Sequence, residues 1–428
     1  MIGLFIIPLA KYNVLSFYSI QIRTILLHFV EYSCKTLIMN LYAFELGRKK
    51  DLCFAELMSV LGEANLVERN LDTAIFNLEK IDPESLQDRL GGTIKIIEIF
   101  KELPKNANTS DIKRVFESFL RTHFEHHKGK IPFALSILSF YNQKEIDIRN
   151  LLVFAKKTLK ALGLNSRFVN KNFQNTKPST IYKAKVLQKG IDLNIIKGTK
   201  NLLLGETISI QNIDNYSKRD FDKPCRDAKV GMLPPKLSQI MINLAGESKT
   251  IFDPFCGTGT ILMEGMLMGK DVIGSDMEER MTEYSKKNCE WLIKVFFGGR
   301  KKEKIPKHEI FTRDSRFLNK KILPFIPDAI ITEGYLGKPI SKFPSEKEME
   351  KSFRELANLH FNWLSAIGSF CDAPIIMCTT AFKNNSKIIH LPRFEELVNS
   401  AGYKLMESFT YDRPDQVVAR DIRVLRKK

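Results

Sequence analysis

The chain has 428 residues, of which 44% are hydrophobic and 27% are charged. This composition is that of a globular protein and excludes intrinsic disorder, while the length predicts two or three domains. The 66 Lys and Arg residues outnumber the 49 Asp and Glu residues, which gives a net charge of +17. Such a surplus favours a polyanionic partner whose counterions are released on binding, although a Lys-rich solubilising surface gives the same balance.

The cysteines argue against two kinds of site. There are seven of them, an odd number, and no Cys-x-x-Cys pair occurs in the sequence. A disulfide framework and a zinc site are therefore not expected, whereas a reducing, cytoplasmic location is expected.

Residues 1–38 are apolar and aromatic, but polar side chains interrupt them at Lys11, Arg23, His28, Glu31 and Lys35. No apolar run reaches the roughly 18–20 residues of a membrane span, so we expect no stable membrane association. An amphipathic helix or a weak membrane contact stays open. We favour a folded region that begins at Met39, with residues 1–38 as an apolar extension of uncertain role.

The predicted elements that follow form two regions with different secondary-structure patterns. Up to about residue 213 the pattern is α+β: residues 40–46 alternate like a strand, residues 148–164 have helical spacing, and residues 180–196 and 202–213 are strand-like runs. A polar stretch around residues 213–231 marks a boundary. Beyond it, short apolar runs separated by helical segments predict a doubly wound, mostly parallel sheet, and the tail predicts an antiparallel edge hairpin. The fold class expected is therefore α/β.

The strongest motif is DPFCGTGT at residues 253–260, which follows a short strand and opens a helix. Gly257 and Gly259 let the backbone turn sharply and approach a ligand closely. Neither the third glycine of a dinucleotide site nor the Gly-Lys-Ser/Thr of a P-loop follows. Asp276 and Asp314 end the next two strands, where carboxylates can accept ribose hydroxyls and an adenine amino group. Together these features predict a site for an adenosine-containing ligand.

DPFCGTGT with the GSD of residues 274–276 resembles class I S-adenosylmethionine methyltransferases. The segments RD (219–220), PCRD (224–227), GMLPPKLSQIMINL (231–244) and the ending 411–427 resemble the THUMP-domain-containing tRNA guanine-N2-methyltransferases. This family includes the archaeal guanosine-10 enzyme and its eukaryotic relative. The resemblance implies a ferredoxin-like region at 39–110, a THUMP-like RNA-binding domain at 111–213 and a Rossmann-like methyltransferase domain at 214–428.

The resemblance also implies S-adenosylmethionine as the cofactor, with the Met-Leu-Pro-Pro segment against its methionine end. The residues expected to bind the cofactor are Met232, Leu233, Asp253, Phe255, Cys256, Gly257, Thr258, Gly259, Asp276, Met277 and Asp314.

The family usually carries Asp/Asn-Pro-Pro-Tyr after the fourth strand, where a side-chain oxygen and a backbone carbonyl orient the target amine and the Tyr stacks on the base. This chain has Thr332, Glu333, Gly334 and Tyr335 there, so both prolines are missing. Under the first interpretation, Glu333 supplies the carboxylate, Thr332 adds a hydroxyl acceptor and Tyr335 stacks on the base. Under the second, the motif has degenerated and activity is lost or altered.

Basic residues interleaved with Phe168 and Phe173 predict an RNA surface in the THUMP-like region. These residues are Lys156, Lys157, Lys160, Arg167, Lys171 and Lys177.

The function expected is methyl transfer to the N2 amine of a guanine in tRNA. Two rivals stay open: another nucleic-acid amino methyltransferase (adenine-N6, rRNA or DNA), and a noncatalytic RNA-binding relative with a retained cofactor pocket. The resemblance also leaves open whether a small activator protein is needed, since the eukaryotic relative works with one.

Overall fold

The computed structural model describes residues 39–127, 129–227, 232–299, 301, 304–385, 387–414 and 416–428. The prediction for residues 1–38 lies outside these ranges. In the described part of the chain, every helix is either too short or too polar to span a bilayer.

The described strands run, in chain order, as β1 Asn40–Leu46, β2 Leu66–Arg69, β3 Thr73–Leu78, β4 Thr93–Pro104, β5 Lys130–Leu138, β6 Asn165–Phe168, β7 Ile191–Lys197, β8 Asn201–Ile210, β9 Thr250–Asp253, β10 Asp271–Asp276, β11 His308–Thr312, β12 Ala329–Thr332, β13 Ile375–Asn384, β14 Lys387–His390, β15 Tyr403–Tyr411 and β16 Val418–Lys427. The described α-helices are α1 Lys50–Leu61, α2 Pro83–Arg89, α3 Thr109–His123, α4 Ile148–Ala161, α5 Pro178–Lys183, α6 Val186–Lys189, α7 Ile213–Ser217, α8 Pro235–Leu244, α9 Thr260–Leu267, α10 Glu279–Phe296, α11 Glu346–Gly368 and α12 Phe394–Ser400.

The first eight strands form one sheet in the order β2-β3-β1-β4-β8-β7-β5-β6. Its strands pair antiparallel except that β5 is parallel to both β6 and β7. The antiparallel pairing of β4 with β8 makes the sheet continuous across residue 110. A division into a ferredoxin-like and a THUMP-like unit at that residue therefore stays a prediction.

The strand-like interpretation of residues 180–196 is wrong for its first half, which forms α5 and α6. Pro178 occupies the first turn of α5, where its fixed φ favours a helix. Ile181 and Val186 are buried in one small cluster with Ala134 of β5, so packing beneath the sheet decided the helical conformation.

The second sheet has the order β11-β10-β9-β12-β13-β16-β15, with β14 paired to β13. The strands from β11 to β13 are parallel, and β16 and β15 run antiparallel at the edge. The predicted α/β class, with a doubly wound sheet and an antiparallel edge hairpin, is confirmed. Chain order reverses direction at β9, between β10 and β12, and open α/β sheets bind ligands at such a switch point.

A buried carboxylate joins the two parts of the molecule. Glu56 of α1 accepts hydrogen bonds from the backbone N–H groups of Gly91 and Gly92 at 2.9 and 2.8 Å and from the side-chain amide of Asn243 in α8 at 2.7 Å. Burial raises the pKa of Glu56 to about 7. These contacts fix the segment that leads into the second sheet against α1.

Candidate functional site

A cavity of about 400 Å³ opens at the carboxyl ends of β9, β10 and β12. Its size is within the range of small-molecule sites. Twelve of the residues predicted for cofactor binding or catalysis line it: Met232, Leu233, Asp253, Phe255, Cys256, Gly257, Thr258, Asp276, Met277, Asp314, Glu333 and Tyr335. The remaining two, Gly259 and Thr332, do not line it.

The glycine loop forms one wall of the cavity. Its start is held by the carboxylate of Asp253, which accepts the backbone N–H of Phe255 at 3.1 Å, and its end by a bond from the N–H of Gly259 to the carbonyl of Cys256 at 2.8 Å. Gly257 and Gly259 both have positive φ, at +50° and +80°. A Cβ on Gly259 would lie 3.2 Å from the Cα of Ser285 in α10, whereas a Cβ on Gly257 would meet no atom within 4 Å. The two glycines therefore serve different needs: Gly259 lets α10 approach, and Gly257 keeps space beside the cavity.

The carboxylate of Asp276 lies between the glycine loop and the start of α10. It accepts the backbone N–H groups of Gly257 and Glu278, both at 3.0 Å, and burial raises its pKa. Each carboxylate oxygen has a second lone pair, so this side chain can also accept hydroxyl groups from a ligand in the cavity.

Asp314 follows β11, but an arginine engages it. Arg316 donates to its two oxygens at 3.0 and 2.6 Å, and this bonding lowers the pKa of Asp314. A ligand amino group must share or displace this arginine to reach the carboxylate. Arg316, which also lines the cavity, was not identified from the sequence.

Thr332 lies under the cavity. Its side chain is fully buried and its hydroxyl oxygen accepts the backbone N–H of Gly334 at 3.0 Å. The hydroxyl also bonds to Asp253, whose pKa burial nonetheless raises to about 7. The hydroxyl thus bonds to Asp253 and accepts from Gly334 inside the protein, and its role as an acceptor for a substrate amine stays a prediction.

Glu333 and Tyr335 face the cavity from the loop after β12. One oxygen of Glu333 pairs with Nε of Arg420 in β16 at 2.5 Å, with side chains 18% and 8% exposed respectively. Tyr335 is 46% exposed at the mouth, where a planar base could reach its ring. The structure therefore brings a carboxylate and an aromatic ring beside the glycine loop, 73 or more positions away along the chain.

Two buried basic residues in the segment before the cavity, Arg219 and Lys223, were not predicted as site residues from the sequence. Arg219 pairs with Glu264 of α9 at 2.7 Å, and Lys223 donates to the hydroxyl of Thr260 at 3.0 Å. Burial lowers the pKa of Lys223. These contacts anchor residues 219–223 on the helix that begins at the glycine loop. Their signal in the sequence was an apolar helix, α9, that carries a single acid.

The six residues predicted to bind RNA are all exposed, on α4, on β6 and in the loop after it. Lys156 lies over the ring of Phe168, with its Nζ 5.9 Å from the ring centroid. Within the described ranges, no group of three His, Cys, Asp or Glu side chains comes together in a way that could hold a metal.

The fold and site define a nucleoside-type pocket at the switch point of a doubly wound sheet. Residues 224–313, which include the glycine loop and Asp276, match the sequence model of the RMKL-like methyltransferase domain.

Among curated relatives, the tRNA (guanine(10)-N2)-dimethyltransferase of Methanothermobacter thermautotrophicus is 35% identical over 160 residues, which is 36% of this chain and 40% of the relative. The enzyme of the same description from Pyrococcus abyssi is 37% identical over 95 residues, which is 21% of this chain and 27% of the relative. The matches thus span less than half of the length of these two relatives. The crystal structure of TrmN from Thermus thermophilus matches 91% of this chain and 100% of its own at 14% identity, with a TM-score of 0.49.

The resemblance stated from the sequence is confirmed for the methyltransferase segment and for relatives of the guanine-N2 type. A THUMP domain stays a prediction.

Proposed function

We propose that this chain transfers a methyl group from S-adenosylmethionine to the exocyclic N2 amine of a guanine in tRNA. The observation that carries the proposal is one cavity in which the glycine loop and Asp276 meet Glu333 and Tyr335. The sequence matches support the same activity, because the curated relatives are described as tRNA guanine-10 dimethyltransferases.

The cavity suits an adenosine-bearing sulfonium. Asp276 would accept the ribose hydroxyls, Asp314 would accept the adenine amino group, and Met232 and Leu233 would border the methionine end. Phe255, Cys256, Thr258 and Met277 also line the cavity, and Met277 would lie beside the ribose. When bound, the cofactor supplies an electrophilic methyl group.

The protein's contribution to the transfer is mainly orientation of the amine. Glu333 accepts a hydrogen bond from Arg420 at one oxygen, and its remaining lone pairs can accept a hydrogen bond from the guanine amine. That bond would point the nitrogen at the methyl carbon and help it to lose a proton. Tyr335 would stack on the base and fix its plane.

For the tRNA itself, we propose that the exposed basic residues of α4 and β6 contact phosphates, which position the substrate without reading its sequence. The two-domain division of residues 39–213 and the cytoplasmic location belong to the same proposal, which leaves open whether a small activator protein takes part.

The direct test incubates the purified chain with methyl-labelled S-adenosylmethionine and bulk tRNA and then analyses the nucleosides by mass spectrometry. We expect N2-methylguanosine or its dimethylated form. Label in N6-methyladenosine would favour the adenine-specific rival, and label in DNA but not in tRNA would contradict the proposed substrate.

The role of Glu333 is tested separately. Glu333→Ala should abolish transfer and leave cofactor affinity nearly unchanged, because this side chain borders the substrate end of the cavity. Glu350→Ala, an exposed site on α11, is the matched control and should transfer normally. Cofactor binding without transfer by the unmodified chain would favour the noncatalytic rival instead.

A further inference from the structure

The backbone of the loop after β12 differs from the conformation that an Asp-Pro-Pro-Tyr sequence would impose. Two prolines at positions 333 and 334 would fix φ near −65° at both. Gly334 instead has a φ of +67°, a conformation that proline cannot adopt. The loop therefore needs another source of rigidity if it is to present Glu333 and Tyr335 in one arrangement.

Two side chains from the neighbouring strands hold this loop. Arg420 of β16 pairs with the carboxylate of Glu333 at 2.5 Å, and the hydroxyl of Thr380 in β13 donates to the carbonyl of Leu336 at 2.8 Å. The two contacts fall on either side of Tyr335. The chain on both sides of Tyr335 is thus hydrogen-bonded to strands of the second sheet.

The two anchors are themselves paired. Thr380 and Arg420 are directly opposite in the antiparallel register of β13 and β16, so their side chains leave the same face of the sheet. The side chain of Arg420 is 8% exposed and Thr380 is fully buried. Little water reaches either contact, and the sheet pairing holds both donors at a fixed separation.

We propose that Thr380 and Arg420 are positioning residues that lock the 333–336 loop and replace the conformational restriction of the two missing prolines. The inference rests on the proposed function, because it assigns these residues to the presentation of the target amine. Neither residue lines the cavity, so each acts through the loop.

Loss of either anchor should therefore lower kcat and leave cofactor binding unchanged. A displacement of about 1 Å at a reacting group can cost on the order of 10²-fold in rate. We therefore expect Arg420→Gln to lower kcat on the order of 10²-fold while KM for the cofactor stays unchanged. Arg420→Lys keeps a charged donor and should lose less kcat than Arg420→Gln.

Thr380 gives a second variant that perturbs the strand less. Thr380→Val keeps the shape of the side chain but removes the hydroxyl, and Thr380→Ser keeps the hydroxyl. We expect Thr380→Val to lower kcat and Thr380→Ser to keep it close to that of the unmodified chain.

The opposite face of the same strands provides matched controls. Arg423 of β16 donates to the hydroxyl of Thr379 in β13, whose register partner is Asp421, and it also pairs with Asp421. Within the described residues, no hydrogen bond or ion pair joins Arg423 to the 333–336 loop. Arg423→Gln and Thr379→Val should cost comparable stability and leave kcat of the folded fraction unchanged.

Hydrogen–deuterium exchange of the peptide that covers residues 332–338 gives a readout that does not depend on activity. Loss of either anchor should raise exchange in this peptide several-fold, and the controls should not. Exchange equal to that of the unmodified chain in both Arg420→Gln and Thr380→Val would overturn the inference, as would equal kcat losses in anchor and control variants. If the unmodified chain fails to methylate tRNA, the proposed function falls while the exchange result still decides whether the two residues lock the loop.

Discussion

The two glycines of the DPFCGTGT loop should separate stability from binding. In Gly259→Ala the new Cβ would lie 2.8 Å from Oγ and 3.2 Å from Cα of Ser285, at a φ of +80°. The left-handed conformation costs roughly 1–2 kcal/mol and overpacking about 1–3 kcal/mol, so we expect about 2–5 kcal/mol of destabilisation and a Tm lowered by roughly 5–15 °C. In Gly257→Ala the Cβ meets nothing within 4 Å, so only the conformational cost of roughly 1–2 kcal/mol applies.

The cost of Gly257→Ala should appear in the cofactor site instead. Gly257 lines the cavity and Gly259 does not, so a methyl group at residue 257 enters the space of the ligand. We expect the Kd for S-adenosylmethionine to rise about tenfold or more, equivalent to 1.4 kcal/mol or more. Thermal unfolding by circular dichroism and titration calorimetry measure the two effects.

Two results would refute this reasoning, one for each glycine. If Gly259→Ala unfolds within about 2 °C of the unmodified chain, its close approach to α10 is not the constraint we infer. If Gly257→Ala binds the cofactor as tightly as the unmodified chain, the ligand does not pass beside this loop. Ser285→Gly in the Gly259→Ala background removes two of the three close atoms and should recover part of the lost stability.

Three further predictions follow from single side chains. Asp276→Ala should raise the Kd for the cofactor roughly 10–100-fold in calorimetry, because a hydrogen bond to a charged group contributes about 1.5–3 kcal/mol. An unchanged Kd would show that Asp276 does not bind the ribose hydroxyls. Burial lowers the pKa of His360 from 6.5 to about 4. Between pH 6.5 and pH 4, His360 is therefore protonated in the unfolded chain but neutral in the folded chain. The free energy of unfolding falls as pH drops through this window, by about 2 kcal/mol at pH 5. Urea unfolding at pH 7.5 and pH 5 should show a shallower loss in His360→Phe, and equal losses would contradict the assignment. Arg219→Gln should destabilise by about 3–5 kcal/mol because it leaves Glu264 buried without its partner, whereas the double variant Arg219→Met with Glu264→Leu should recover most of this in the same assay.

The resemblance and the local motifs predicted the outline of the site. Gly257 and Gly259 could be identified because a turn with positive φ strongly favours glycine. Asp276 and Asp314 could be placed because parallel strands bring their carboxyl ends to one edge of the sheet. These inferences use neighbours in sequence, the periodicity of single elements and the general rule for parallel sheets.

Other parts of the site depend on packing. The pairing of Arg316 with Asp314 and the inward hydroxyl of Thr332 change what those side chains can offer a ligand, and neither follows from residue type. The helical conformation of residues 180–189 was missed for the same reason, since the burial of Ile181 beneath the first sheet outweighed a strand-like pattern.

The sequence by itself determined the glycine turn, the strand-end acids and the alternation that makes a doubly wound sheet, because these depend on backbone sterics and hydrophobic period. Only the tertiary structure decided that Glu333 meets Arg420, 87 residues away, and that Thr380 ties down the same loop. The reason is the register between β13 and β16. A shift of β16 by one residue against β13 would turn Arg420 to the other face of the sheet, away from Thr380 and the loop, and that register is set by packing across the whole sheet.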